Sequence, residues 1–245
     1  LPVPGTRGGK PIIVESGPDW YVKTVMEDFV KRAEAIRTGN IDPSVDNFLK
    51  ITGEARLLGT DARLLDSSAP DNPDGKLHKV VENVAEEYFK GNENGKTGCQ
   101  LVFSDIGTPK VSWSSDWEEK VKQGMKFDVY NFIKTELVKL GIPSVEIAYI
   151  HDAKTDAQRE TLFKEVRTGK KKILIGSTDQ CGTGVNVQTH LTAMHHVDCP
   201  WKPSCIEQRE GRGKRQGNEN KEIAIYRYVT KSTFDAYSWS LVENK

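Results

Sequence analysis

The chain has 245 residues, 36% hydrophobic and 29% charged, and its 35 Lys plus Arg balance its 35 Asp plus Glu. That length supports one large domain, or one domain with an appendage. The zero net charge excludes a chain that is basic throughout, and the lack of any apolar run of about 18 residues excludes a membrane-spanning helix. No apolar N-terminal stretch resembles a signal peptide. Residues 151–245 carry a small basic excess, of the size that solvated faces ordinarily show. Cys99, Cys181, Cys199 and Cys205 have no zinc-like spacing, and strand alternation sends His195 and His196 to opposite faces. No metal site is expected, and reduced thiols in a cytoplasmic protein are. The opening Leu-Pro-Val-Pro lacks a methionine, as a piece of something longer would.

The first 75 residues read as a helical lead-in. Pro18-Asp19 starts a helix with Trp20, Val22, Val25, Met26, Phe29, Ala33 and Ile36 on its apolar side, stopped at Gly39-Asn40. A second helix follows Asp42-Pro43 and carries Val45, Phe48, Leu49 and Ile51. The polar loop DSSAPDNPDG at 66–75 closes this region.

From Lys76 onward, helices and short apolar strands alternate. A helix over 76–90 precedes a glycine turn and a strand over 99–104. The turn contains Gly95-Lys96-Thr97, the ending of a phosphate-binding loop. That loop, however, needs four residues between its glycines and follows a strand to open a helix. Here three residues separate Gly91 from Gly95 and the order is helix, turn, strand, so the turn lacks the helix N-terminus that would face a phosphate. An irregular insertion occupies about 107–124. Then come a helix over 127–140, a strand over 147–151, a helix over 156–167, a strand over 172–176, a glycine-broken loop and a strand over 193–198. A helix over 203–215 and a strand over 223–229 follow, and Ser232 is expected to cap the last helix. This alternation predicts an α/β fold, a parallel sheet sandwiched by helices. Ligands then bind beyond the carboxyl ends of the strands, at the loops starting from Ser104, His151, Ser177 and Asp198.

Two segments carry candidate chemistry. In STDQCGTGVNVQ (177–188), Thr178 can hold a phosphate oxygen, Gly182 and Gly184 allow close backbone approach, and Asn186 can bond a sugar hydroxyl. In QREGRGKR (208–215), Arg212 and Arg215 share one face if the helix continues, and Gln208 lies one turn earlier on the same side. Paired guanidiniums suit the charge that develops in phosphoryl transfer, and a solvated basic helix end would also carry them.

The spacing QxxGRxxR resembles motif VI of helicase superfamily 2, and STDQCGTGVNVQ resembles its motif V. VDCPWKP (197–203) resembles the segment between those motifs in SWI/SNF-type DNA translocases, LVFSD (101–105) looks like motif IV, and Arg159 falls where that family places an arginine. The likeness covers about 76–240. The lead-in, with DNFLKITGEARLLGTDARLL, resembles that of mobile-element proteins joining such a helicase to an adenine-N6 DNA methylase.

The resemblance implies a RecA-like second lobe over 76–245, with ATP and Mg²⁺ bound mainly by a first lobe that carries the Walker A loop and DExx box. It further implies that Arg212 and Arg215 contact the γ-phosphate, with Arg215 as the finger. Gln208, Gly184 and Asn186 would line the nucleotide cleft, and Ser104 and Thr178 would touch the backbone of double-stranded DNA. Two features depart from the pattern, the long insertion and Gly213 between the arginines. With neither a true Walker A loop nor an Asp-Glu pair ending an apolar strand, this chain alone is expected not to hydrolyse ATP. The alternative is a non-catalytic module that docks DNA or a partner protein, a role for which Gln208, Arg212 and Arg215 together are not needed.

Overall fold

The computed structural model describes residues 3–93, 98–180 and 186–243. Lys96 and Gly184 lie outside the described residues, so the glycine turn and the centre of the glycine-broken loop enter no structural statement below.

Among the described residues, seven parallel strands build the fold: β1 (Gly5–Thr6), β2 (Ile12–Ser16), β3 (Cys99–Phe103), β4 (Ile147–Tyr149), β5 (Ile173–Gly176), β6 (Leu191–His196) and β7 (Glu222–Thr230). Their spatial order is β4-β5-β3-β6-β7, with β1 and β2 both on the outer side of β7. The helices are α1 (Trp20–Arg37), α2 (Phe48–Thr60), α3 (Lys76–Glu93), α4 (Trp117–Lys122), α5 (Val129–Lys139), α6 (Asp156–Arg167), α7 (Pro203–Gly213) and α8 (Phe234–Glu243). The chain has the expected α/β architecture, a RecA-like parallel sheet between helices.

Side-chain alternation divides the core in two. Val102, Tyr149, Ile175, Ala193, Tyr226 and Tyr228 face α3 and α5. Their neighbours Leu101, Phe103, Ala148, Leu174, Met194 and Ile225 face the other way, with Leu162, Phe163 and Val166 of α6. Both faces are covered, so the strands are apolar almost throughout. Four of the helices start at side-chain caps, Asn47 of α2 among them. Asp19 caps α1, Asp128 caps α5, and Thr155 with Gln158 forms a reciprocal capping box on α6.

The lead-in differs from its expected helical form. It contributes two strands, and Ile12–Ser16 pairs in parallel with Tyr226–Thr230. A five-residue segment with alternating half-burial gives little local signal, because its hydrogen bonds are all supplied by a distant strand. Asp42-Pro43 forms a turn held by Ser44 N donating to Asp42 Oδ1, and α2 starts later, at Phe48, capped by Asn47. Ser232 is also corrected. It sits at φ 57, and Thr233 Oγ1 instead accepts from Asp235 N at the start of α8. The insertion contains α4, whose Trp117 is buried against Phe127.

One polar chain crosses the sheet interior. Gln100 Nε2 donates to Val84 O at 2.9 Å, which turns its carbonyl towards His195 Nε2 at 2.8 Å. The imidazole therefore donates from Nε2 and accepts at Nδ1 from Tyr228 Oη, also at 2.8 Å. Burial lowers the His195 pKa to about 3, and burial beside Arg209 and Arg227 holds His196 well below the ordinary value. Both groups are neutral when folded and accept protons more readily when unfolded, so their contribution is complete above pH 6.5 and declines as pH falls from 6.5 towards their folded values. His78, raised by its bond to Asp71, acts in the opposite sense but delivers its gain mainly above pH 6.5, and His151, lowered by burial, adds to the loss. The expected outcome is a melting temperature that drops between pH 6.5 and 5, each buried histidine costing about 1.4 kcal/mol per pH unit. A flat profile across that window in a thermal melting series would contradict the neutral, buried assignment.

Candidate functional site

Three neighbouring strands, β3, β5 and β6, deliver their carboxyl-end loops to one buried guanidinium. Arg209, on α7, has a fully buried side chain whose Nη2 contacts Asp105 Oδ2 at 2.8 Å and Asp198 Oδ1 at 3.0 Å. Its Nη1 donates to Asp198 O at 3.0 Å, and its Nε donates to Thr178 Oγ1 at 2.7 Å. Thr178 in turn gives Asp105 both of its donors, the backbone N–H to Oδ1 at 2.6 Å and the hydroxyl to Oδ2 at 2.8 Å. Asp198 Oδ2 accepts from the backbone N–H groups of Asp105 and Ile106, at 2.7 and 2.9 Å. Each donor of this dry cluster meets an acceptor, the condition under which buried charges are tolerated.

Electrostatics follow from that enclosure. Burial raises the Asp198 pKa, opposed by the Arg209 charge. Burial works against the charge on Arg209, but Asp198 and Asp105 outweigh it and hold the guanidinium above its usual range. The network continues outward through Glu210, which accepts from Arg227 and Lys214 at 2.9 Å each and lies 3.8 Å from His196 Nε2.

From this edge α7 runs back across the sheet. Pro203 opens it in the position where a missing N–H costs nothing. Its last residue, Gly213, sits over the beginnings of β6 and β7, where a Cβ would come within 2.6 Å of Met194 Sδ, 2.7 Å of Leu191 and 2.9 Å of Ile223. Gly213 is thus a close-packing position that ends the helix. At that far end Gln188 Nε2 donates to Gln216 O at 3.3 Å, and Asn186 O accepts from Arg167 at 2.8 Å.

The expected site residues therefore fall into two groups. Ser104 and Thr178 lie together at the carboxyl edge, but Ser104 is fully buried with its hydroxyl on Ile106 O, and the Thr178 hydroxyl is engaged by Asp105 and Arg209. Arg212, Arg215 and Asn186 lie towards the opposite edge. Arg212 is buried in the last turn of α7, whereas Arg215 is exposed beyond it. The shared helical face expected for the two arginines is thus corrected, because α7 stops at Gly213 and Lys214 leaves helical geometry with φ −82 and ψ 62. Gln208 is exposed midway along α7, and Arg159 reaches the loop after β5 by donating to Gln180 Oε1 at 2.7 Å. Reading the sequence missed Arg209, Asp105 and the side chain of Asp198. Two apolar strands each ending in Asp, LVFSD and HHVD, were the available signal.

Comparison with known proteins adds to this geometry. Residues 117–217 match the helicase conserved C-terminal domain. Defense against restriction protein B of Escherichia phage P1 is 30% identical over 86 residues, 35% of this chain and 4% of that protein. The uncharacterized ATP-dependent helicase YqhH of Bacillus subtilis (strain 168) is 37% identical over 83 residues, 34% of this chain and 14% of that helicase. The chain thus spans a small part of the length of these relatives. Among solved structures, the C-terminal part of the Fun30 ATPase domain superposes with a TM-score of 0.60 at 14% identity, covering 99% of this chain and 91% of that one. That superposition takes in the lead-in strands and helices as well as the helicase segment. The chain shares with that structure its RecA-like parallel α/β fold.

Two substitutions probe the geometry. Arg209→Ala strands two carboxylates and is expected to cost about 3–5 kcal/mol in urea denaturation, the scale for breaking a buried ion pair. A loss below about 1 kcal/mol would show that Arg209 does not hold the loops together. Gly213→Ala should cost about 1–3 kcal/mol through overpacking against Met194, Leu191 and Ile223, and an unchanged melting temperature would place α7 farther from the sheet.

Proposed function

We propose that this chain is the C-terminal motor lobe of an ATP-dependent DNA helicase or translocase, acting with an N-terminal lobe outside this sequence. The observation that carries the reading is the course of α7. It leaves the loops at the carboxyl edge, carries Arg212 in its last turn and leads to Arg215, next to Gln216, whose carbonyl accepts from Gln188 Nε2. Thr178 with Arg209, and Gln188 with the residues after α7, thus stand at two separate places, one suited to each partner.

The residues present fit one side of a triphosphate. They offer guanidiniums and an amide, and among the described residues no group of three or more His, Cys, Asp or Glu could hold a metal ion. ATP would supply the phosphoryl group and Mg²⁺ would neutralise it, both held mainly by the first lobe. Arg215, exposed and free to extend, would bear on the γ-phosphate as that lobe closes. Arg212 would do so from a position fixed by burial, and Gln208, Gly184 and Asn186 would line the cleft. Arginines so placed stabilise the charge of phosphoryl transfer without taking part in bond making.

The carboxyl edge, with the loops after Ser104 and Thr178, would track the backbone of duplex DNA by its phosphates and not by its bases. The likeness of the lead-in extends the proposal to a mobile-element protein with an adjacent adenine-N6 methylase domain.

The test joins this chain to its first lobe and measures ATP turnover with and without duplex DNA. Arg215→Ala is expected to lower turnover by about 10³–10⁵ while DNA affinity stays within about threefold. Survival of turnover would remove Arg215 as the finger. Equal stimulation by single-stranded RNA would replace duplex DNA as the substrate.

A further inference from the structure

The carboxylate of Asp105 sits in a convergent set of donors. Its two oxygens take the Thr178 N–H at 2.6 Å, the Thr178 hydroxyl at 2.8 Å and Arg209 Nη2 at 2.8 Å. A backbone amide, a hydroxyl and a guanidinium converging on two oxygens form a donor set that a phosphate diester accepts equally well. Of the three charged residues in the cluster, Arg209 and Asp198 are buried, with side-chain exposures of 0% and 1%, whereas Asp105 retains 31%. Asp105 is thus the member in contact with solvent.

The backbone around it is fixed independently of that carboxylate. Asp198 Oδ2 holds the N–H groups of Asp105 and Ile106, and Tyr130 Oη donates to Ser104 O at 2.6 Å. Rotation of the Asp105 side chain about its own Cα–Cβ bond would uncover the donor set while these bonds hold the loop backbone. Arg209 keeps Asp198 as its counter-ion when this happens.

We infer that Thr178 N–H, Thr178 Oγ1 and Arg209 Nη2 form a phosphate site at the carboxyl edge that Asp105 occupies and gates in the absence of nucleic acid. The inference rests on the DNA-tracking reading for the source of the phosphate, though not for the existence of the site. It accounts for the burial of Thr178, whose donors are presented only after the carboxylate leaves. A gate of this kind favours a ligand with repeated phosphates over a free anion, since each entry must displace a tethered competitor already in place.

The experiment uses the 245-residue chain and two probes. Asp105→Ala should be stabilised by millimolar inorganic phosphate relative to chloride at equal ionic strength, with no such shift in the parent chain. The same variant should bind duplex DNA about tenfold more tightly, the scale of one charge-assisted contact, and its salt dependence should steepen by about 0.9 in log–log slope. Asp179→Asn removes an exposed acid from the same edge and controls for charge alone. Adding Thr178→Val to Asp105→Ala should abolish both gains. No phosphate stabilisation of Asp105→Ala, or a DNA gain matched by Asp179→Asn, overturns the gate. Phosphate stabilisation without any DNA gain keeps the anion site but removes nucleic acid as its ligand, and with it the tracking role of this edge.

Discussion

Everything at the carboxyl edge depends on keeping one positive charge dry. Arg209 is enclosed by Asp105, Asp198 and Thr178 and lies over the Phe103 ring at 5.4 Å from its centroid. A lone guanidinium in such a place would be prohibitively costly, and two carboxylates with matched hydrogen bonds make it tolerable. The cost of breaking the set fixes the positions of three loops at once. Those loops come from strands far apart in sequence, so the cluster serves as the joint through which the sheet, α7 and the edge loops keep one geometry.

The same helix that carries the joint also carries Arg212 and leads to Arg215, the arginines proposed for nucleotide chemistry. Arg209 is anchored at one end of the sheet, and Gly213 presses the other end of α7 against Met194, Leu191 and Ile223. A helix seated at both ends moves as a rigid rod, and side chains one turn apart on it cannot shift independently. Coupling between two edges of a RecA-like lobe therefore needs no hinge inside α7. It requires only that a ligand at one edge alter how the rod is seated, which matches the expectation that coupling runs through elements with discrete arrangements.

Much of the sheet was legible in the sequence because its signals are local. Strands such as LVF (101–103) and ILIG (173–176) are short, apolar and bounded by polar loops, and helices such as α6 announce themselves through a capping box. The strand Ile12–Ser16 was illegible because what makes it a strand is β7. Arg212 and Arg215 stand out as candidates by their spacing, but their placement was not legible, since Gly213 acts through three side chains from other strands. Thr178 stands out as a candidate phosphate contact by residue type and position. That its donors are already taken by Asp105 depends on the packing of β3 beside β5, a fact of topology.

That topology also constrains the order of assembly. Ser16 and Thr230 approach to 3.4 Å although 214 positions separate them along the chain. The segment at Ile12–Ser16 is synthesised well before its partner strand, Tyr226–Thr230. Until β7 is synthesised and paired with β6, this amino-terminal ribbon has no ladder to join. Closing so long a loop is entropically unfavourable and slow. Its docking therefore waits on β7, and until then the segment stays open to a chaperone or a protease.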